Sequence, residues 1–374
     1  MTVPVLTDGG VTLRRHTDDD IDRCFEQCVD PLSVEWTTVP TSYTLDDARR
    51  FVRHAMPGGW ATDQEWGFAV EYDGRYAGTI SLRPHHGGEG EARAEVAYGS
   101  HPDVRGTGAM ERALRLLLEW GFSEKGLHTV IWWANEGNWA SRRLAWRVGF
   151  DIVPGVVRRW LPHRGELRDA WVGTLLSDDD RKPRGPWLDT PVLRLDGLTM
   201  RAPEDRDVPR IVEACSDPVS RHWLRHMPDP YGPADARAWI ESRRAGAARG
   251  DVVTWAITDA ATDLMLGALN LFSIDREDGQ AEVGYWVHPD ARGRGVASTA
   301  TRAACRHALI DLEDGGLGLT RVDAIAAVDN HASRGALRGA GMREVATERS
   351  AMIIAGTPTD AVRYDIVAAD LNAD

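Results

Sequence analysis

The chain is short of cysteine. Its four residues, Cys24, Cys28, Cys215 and Cys305, form neither a disulfide framework nor a zinc spacing, and they read as small buried apolar residues. No stretch approaches the roughly 18 apolar residues that a membrane span needs, so no membrane partner is expected. Residues 1–10 show no basic region followed by an apolar core, so no secretory leader is expected and the cytoplasm is the default compartment. Positive charge is in deficit, with 44 Lys and Arg against 57 Asp and Glu and a net charge of −13. Nucleic acid is therefore an unfavourable partner, because nothing would replace its condensed counterions. A cationic substrate would be steered inward. What remains is ordinary: 43% hydrophobic and 27% charged residues, as in a soluble globular protein. A length of 374 residues suits two domains of about 180.

The unusual feature is repetition. Ala94-Glu95-Val96-Ala97-Tyr98-Gly99-Ser100-His101-Pro102-Asp103-Val104-Arg105-Gly106-Thr107-Gly108 returns as Ala281-Glu282-Val283-Gly284-Tyr285-Trp286-Val287-His288-Pro289-Asp290-Ala291-Arg292-Gly293-Arg294-Gly295. Thr12-Leu13-Arg14 matches Thr199-Met200-Arg201, and Asp30-Pro31 matches Asp217-Pro218. Asp47-Ala48-Arg49 matches Asp235-Ala236-Arg237, and Asn138-Trp139-Ala140-Ser141-Arg142 matches Asn330-His331-Ala332-Ser333-Arg334. Order is kept while spacing drifts by a few residues, which is duplication of a whole domain. The charged, Pro- and Gly-bearing stretch 177–186 reads as a linker, giving domains 1–184 and 185–374.

Each half carries the same expected elements. A strand (11–15; 198–202) leads into a helix opened by acidic residues, and a second helix follows (45–57; 233–247). Three strands come next: 66–72, 76–83 and 93–100, then 253–258, 264–273 and 280–287. A long helix (106–122; 294–313), a strand (127–134; 320–327), a helix (138–148; 330–340) and two strands complete each half. Tyr72-Asp73-Gly74 signals a hairpin turn. Strands followed by strand–helix alternation imply an α/β fold, a mixed sheet with helices on its faces.

Arg-Gly-x-Gly between a strand and a helix is the chemical signal. Glycines let backbone approach a bulky anion, the helix N-terminus supplies bare N–H groups and partial positive charge, and arginines supply donors suited to phosphate. A pyrophosphate is the natural occupant. No Gly-Lys-[Ser/Thr] follows, so this is no Walker loop, and Gly-x-Gly-x-x-Gly is absent, so it is no dinucleotide fingerprint.

The loop resembles the Arg/Gln-x-x-Gly-x-Gly/Ala signature of the GCN5-related N-acetyltransferases (GNAT). The downstream Asn-x-x-Ser and the endings Gly149-Phe150 and Gly341-Met342 also match. Glu-Val-x-Tyr and Asn-x-x-Ser look most like the branch that acetylates ribosomal-protein N-termini and assorted small amines. The resemblance covers nearly the whole chain. It implies two tandem GNAT-like domains, each a mixed, mostly antiparallel sheet flanked by helices, using acetyl-CoA or another acyl-CoA as co-substrate; no second ligand stands at metal-binding spacing from His101 or His288, so no metal is expected. It places the pyrophosphate on the backbone of Arg292, Gly293, Arg294, Gly295, Val296 and Ala297, and the pantetheine arm beside Trp286 and Val287. Asn330 would contact that arm, and Ser333 is a candidate to protonate the leaving thiolate. The N-terminal counterparts are Arg105, Gly106, Thr107, Gly108 and Ala109, with Asn138 and Ser141.

An attacking amine must lose a proton to a base or to a water that a base holds. Glu282, Gly284 and Trp286 share one strand face, so Glu282 is placed for that work and Glu95 is its twin; a structural salt bridge is the competing reading. Ser333 competes with a helix-capping role. Met110 stands where Ala297 stands in the second loop and threatens to obstruct phosphates, which favours the C-terminal copy as the CoA binder. The N-terminal copy is then a second active site, or a degenerate one shaping the substrate channel or a homodimer. Neither half shows the tyrosine that many relatives carry a turn beyond the asparagine; Trp146 and Ala336–Leu337 lie there instead. Tyr98 and Tyr285 read as packed strand residues, and His101 and His288 as turn residues. Eleven of the fifteen tryptophans lie within residues 1–187, ten of them in the first domain, as core or as an aromatic wall. The expected function is acetyl transfer to a primary amine of a small molecule or peptide, cationic by the charge argument, in a ternary complex. The alternatives are a longer acyl chain from CoA or a carrier protein, and a non-catalytic CoA-binding sensor or scaffold.

Overall fold

The computed structural model describes residues 2–85, 92–224 and 227–372. The chain forms two compact units, Met1–Arg184 and Gly185–Asp374. In the first, β1 (Leu6–Thr7) and β2 (Val11–Arg14) precede α1 (Ile21–Val29), α2 (Pro31–Trp36), α3 (Leu45–Arg50) and α4 (Met56–Thr62). Then come β3 (Trp66–Tyr72), β4 (Arg75–Pro84), β5 (Arg93–Ser100), α5 (Ala109–Ser123), β6 (Thr129–Asn135), α6 (Trp139–Arg147), β7 (Asp151–Ile152), β8 (Val157–His163) and β9 (Glu166–Leu176). The second unit repeats the plan: β10 (Leu193–Arg194), β11 (Leu198–Arg201), α7 (Val208–Ser216), α8 (Pro218–Trp223), α9 (Pro233–Arg249), β12 (Val252–Asp259), β13 (Met265–Asp275), β14 (Gln280–Val287), α10 (Val296–Leu309), β15 (Arg321–Ala327), α11 (His331–Gly339), β16 (Arg343–Ile354) and β17 (Thr357–Val367).

The sheets run β1-β2-β3-β4-β5-β6-β9-β7, with β8 also on β9, and β10-β11-β12-β13-β14-β15-β17-β16. In each, one neighbouring pair is parallel, β5 with β6 and β14 with β15. A parallel pair needs a crossover, and α5 and α10 supply it. Each crossover helix buries its alanine and leucine stripe on one sheet face, where Phe68, Leu82, Leu114, Leu117 and Trp132 form the first core and Trp255, Leu269, Ala300, Ala304 and Tyr364 the second. Part of the opposite face is covered by α1 and α3 over Ala69 and Tyr76, and by α7 and α9 over Ala256 and Ala268.

Three expectations need correction. The N-terminal unit closes with three strands, β7, β8 and β9, where two are expected, because Pro154 and a left-handed Gly155 separate β7 from β8. The helix expected over 45–57 runs on to Thr62, passing Pro57 through a π turn at Phe51–Ala55; the wider turn accommodates a residue with no N–H. The helix expected to reach 313 stops at Leu309, where Ile310 turns extended. Sequence reading also passed over α2 and α8. Each is six residues long and starts at an Asp-Pro pair, where the aspartate caps a backbone N–H and proline fits the first helical position.

Candidate functional site

The two parallel strands of each sheet begin together and then part. β14 pairs with β15 at Gln280↔Arg321, Ala281↔Val322 and Glu282↔Asp323. Beyond Glu282, residues Val283 to Val287 stay bonded to β13, while Ala324 to Ala327 stay bonded to β17. The inner edge of β14 thus has no strand partner there among the described residues. The N-terminal sheet opens at the same place: Arg93↔Thr129, Ala94↔Val130 and Glu95↔Ile131 pair, and then β5 and β6 separate. An unpaired strand edge inside a protein offers N–H and C=O groups to an extended, amide-bearing ligand.

The glycine loops close the wide end of these wedges. Gly293 and Gly295 have φ of 75° each, and Gly106 and Gly108 have 78° and 84°, a left-handed region that glycine enters without steric cost. A Cβ at any of the four would meet nothing within 4 Å, so it is conformation and access that call for glycine. Gly295 caps α10 without a side-chain bond, which leaves the first-turn N–H groups beginning at Val296 and Ala297 directed outward. In the N-terminal loop Thr107 Oγ donates to Val104 O (2.7 Å) and accepts from Ala109 N–H (3.3 Å).

The arginines do something other than expected. Arg292 Nη2 donates to Asp217 Oδ2 (2.6 Å) and Ser220 Oγ (2.8 Å); Arg105 Nη2 donates to Asp30 Oδ2 (2.6 Å) and Ser33 Oγ (3.1 Å). Asp217 and Asp30 are the caps of α8 and α2. Arg294 donates to Asp290 O. Each first arginine is thus a clasp between loop and helix, and an anion at the loop would be met by backbone N–H groups. Met110 also departs from expectation: it packs on the core, where its methyl would lie 3.0 Å from a Cβ placed on Gly78. It turns down onto the sheet because Gly78 leaves room for it.

The helix after each wedge carries the candidate proton donor. Asn330 Oδ1 accepts from Ser333 N (3.1 Å) and Asn138 Oδ1 from Ser141 N (3.1 Å), so the asparagines hold the caps and their amide nitrogens remain to donate. The serine hydroxyls are free of capping duty. Tyr285 Oη donates to Ser333 O (3.0 Å) and sits 3.1 Å from Ser333 Oγ. Tyr98 Oη lies 2.9 Å from Ser141 Oγ, and Trp132 Nε1 donates to both, at 2.9 and 3.0 Å. Burial, against the hydrogen bonds at the hydroxyl, pushes each of Tyr98 and Tyr285 up to about 12, so both phenols keep their protons at neutral pH. Reading these tyrosines as merely packed missed this. The available signal was that tyrosine and serine recur together in both copies while their neighbours change.

On the opposite sheet face, Glu95 lies 3.8 Å from Arg83, which also holds Glu65 at 3.0 Å, so the ion-pair reading of Glu95 has its partner. Glu282 stands across from Asp323. Arg363 is raised chiefly by Glu348, against burial, with Asp323 and Glu282 adding to it. Trp286 packs against the cluster that contains Ile211, Ile240 and Ala268, and the Val287 carbonyl accepts from Arg292 Nε at 3.4 Å. His288 lies 2.8 Å from Asp290 Oδ1 and 3.1 Å from Glu213, and His101 lies 2.6 Å from Asp103 and 3.1 Å from Glu26. These contacts fasten each turn to α7 or α1. Among the described residues no group of three or more His, Cys, Asp or Glu side chains could hold a metal ion, and no helix is long and apolar enough to cross a membrane.

Comparison with known proteins yields a consistent set of likenesses. The model of the Acetyltransferase (GNAT) domain matches residues 11–151 and again 197–343. YdaF of Bacillus subtilis, whose name provisionally makes it a ribosomal N-acetyltransferase, is 27% identical over 174 residues, 46% of this chain and 91% of its own length. YoaA of the same organism, named an uncharacterized N-acetyltransferase, is 27% identical over 179 residues, covering 47% and 97%. The solved structure of Mycobacterium smegmatis RimJ in complex with CoA-disulfide is 20% identical, with a TM-score of 0.43 over 49% of this chain and 88% of that one.

Proposed function

The chain belongs to the GNAT acetyltransferase family and carries its domain twice, and from that premise we propose that it transfers acetyl from acetyl-CoA to a primary amine of a small molecule or peptide by direct attack in a ternary complex. The observation that carries this reading is the wedge itself: a strand edge left unpaired after Glu282, running to a helix N-terminus that no side chain caps. A pantetheine arm has amides to pair with such an edge, and a pyrophosphate has the charge for such a helix end. Both copies have the splayed strands and the left-handed glycines, although in the N-terminal loop Thr107 Oγ already accepts from the Ala109 N–H, and both are proposed to hold CoA.

The thioester supplies the activated acyl group. The amine nitrogen forms a bond to the carbonyl carbon, the carbon–sulfur bond breaks, and the sulfur leaves with the electron pair. Glu282 is proposed to take the ammonium proton, directly or through a water; after attack the nitrogen gives up its second proton to the Ser333 oxygen as Ser333 delivers one to sulfur, so the serine is restored, and Tyr285 holds the serine through its bond to the Ser333 carbonyl. In the N-terminal copy Trp132 donates to Ser141 Oγ, so that hydroxyl's own proton is directed elsewhere. Acceptors with a cationic amine fit the net charge of −13, and the names of the relatives favour peptide N-termini among them.

Calorimetric titration of the full chain with acetyl-CoA, followed by thiol release on addition of amines, tests the proposal. Binding at two sites with amine-dependent release supports it. Binding without release from any amine would leave a CoA sensor, and no binding would exclude acetyl-CoA as donor.

A further inference from the structure

The open face of the N-terminal sheet carries an aromatic pair that the chemistry above does not use. Trp133 lies two residues beyond Ile131, the last residue of β6 paired with β5, so it shares a face with Ile131 and Glu95. Trp160 on β8 stacks on it, with ring centroids 5.4 Å apart and planes 24° apart. Trp160 is nonetheless 52% exposed, so its outer ring face is turned to solvent.

The backbone puts it there. Between Val157 and Leu161 the β8–β9 register shifts, Arg159 adopts φ of 49°, and its N–H donates to Asp169 Oδ1 at 2.7 Å. This bulge aims the following residue, Trp160, over the wedge. The hairpin tip is then tied across to α2 and the loop after it, where Arg164 donates to the Val34 carbonyl in the helix and, at 3.5 Å, to that of Val39 in the loop. The C-terminal unit has the same device with other contents. Ser350 has φ of 52° and donates to Asp360 Oδ1 at 2.8 Å, but Ala351 follows it and Ile325 holds the place of Trp133. Arg363, bound to Glu348 at 3.2 Å, stands across from Ile325, where Val172 stands across from Trp133. One scaffold thus presents an aromatic wall in one copy and charge in the other.

We propose that the N-terminal copy selects acceptor amines borne on a planar aromatic ring, which lies flat on the outer face of Trp160 while its amine reaches the wedge beside Glu95. A flat, exposed indole beside a carboxylate suits a flat, cationic molecule, since the ring stacks and the charge is drawn to both. The proposal rests on the acetyl-transfer reading of the same site.

The test compares 2-phenylethylamine with 2-cyclohexylethylamine, which differ in the planarity and π-system of the ring. The full chain carries Gly295→Val to close the C-terminal cradle. The aromatic amine is expected to have a kcat/KM about three- to ten-fold higher, the range one aromatic contact supplies. Trp160→Ala should bring the ratio to about one, and Trp160→Phe should keep most of it. A ratio near one in the parent chain, or a ratio that survives Trp160→Ala, overturns the proposal. A change of oligomeric state on Trp160→Ala without a change of ratio also overturns it, by making the pair an interface. If neither amine is acetylated, the transfer reading fails, and calorimetric titration of the two amines in the presence of CoA decides the stacking separately. Tighter binding of phenylethylamine that Trp160→Ala abolishes supports the stacking, and equal affinities refute it.

Discussion

The Ser141 hydroxyl is met by the Tyr98 hydroxyl and by the Trp132 N–H; the Ser333 hydroxyl is met by Tyr285 alone among the described residues, because Ala324 stands where the first copy has Trp132. Under the loops, Met110 fills the space over Gly78 where the second copy has Ala297. Over the open faces, a tryptophan pair faces one wedge and Ile325 and Arg363 the other. The backbone elements match nearly one for one, including the left-handed glycines, the splayed strands and the capping asparagines. Duplication has kept the elements proposed to hold the thioester and varied what surrounds them, so under that proposal the two copies differ where an acceptor would be chosen rather than where CoA would be held.

That contrast can be broken most directly at the glycines. Gly295→Val is expected to abolish one acetyl-CoA site by calorimetry and leave the other, and Gly108→Val to do the reverse. A β-branched residue cannot take their φ values cheaply. Loss of both sites from one substitution would mean that the copies do not bind independently. Acid should separate the units next. His16 is buried, and burial holds it down at about 4, whereas Pro203 occupies its place in the second unit. Its folded value lies below the ordinary 6.5, so it favours folding above pH 6.5 and that stability is lost as pH falls toward 4. The loss is about 3 kcal/mol. Thermal unfolding at pH 7 and pH 4.5 should show one transition falling, and His16→Gln should remove most of the fall.

Smaller effects sharpen the comparison. With the other copy closed by Gly295→Val or Gly108→Val, Ser141→Ala should lower kcat about tenfold and Ser333→Ala less, because the N–H that Trp132 donates to Ser141 Oγ makes that hydroxyl the better acid; equal losses would make the Trp132 contact irrelevant to turnover. Asp30→Ala and Asp217→Ala should each cost about 1 kcal/mol of stability by removing a cap. Each should also weaken acetyl-CoA binding in its own copy by freeing the loop arginine, which paired titration and denaturation would show.

The duplication, the strand–loop–helix context and the order of elements were readable because glycine loops and apolar periodicity are local properties. The clasps were not. Arg292 next to glycines looks like a phosphate ligand, and only folding brings Asp217, 75 residues away, to within 2.6 Å. The same holds for Tyr98 and Ser141, 43 residues apart. Alternation told which face Tyr98 occupies but not which helix lies over it. The direction of Met110 depended on the absence of a side chain at Gly78, a vacancy visible only across a strand. The stacked tryptophans required a bulge, and its left-handed Arg159 carries no glycine to announce it.

The splayed strands bear on how this protein stays in solution. An unpaired β edge is ordinarily a hazard, since a strand from another molecule can add to it and seed aggregation. Here the free edge of β14 faces β15, which is itself fully engaged with β17, so it lies in a cleft and not on the rim of the sheet. A lone extended arm can enter such a cleft, while the flat edge of a second sheet is kept out by the strand alongside. The fold can therefore leave backbone groups unpaired for a ligand without exposing them to other copies of itself.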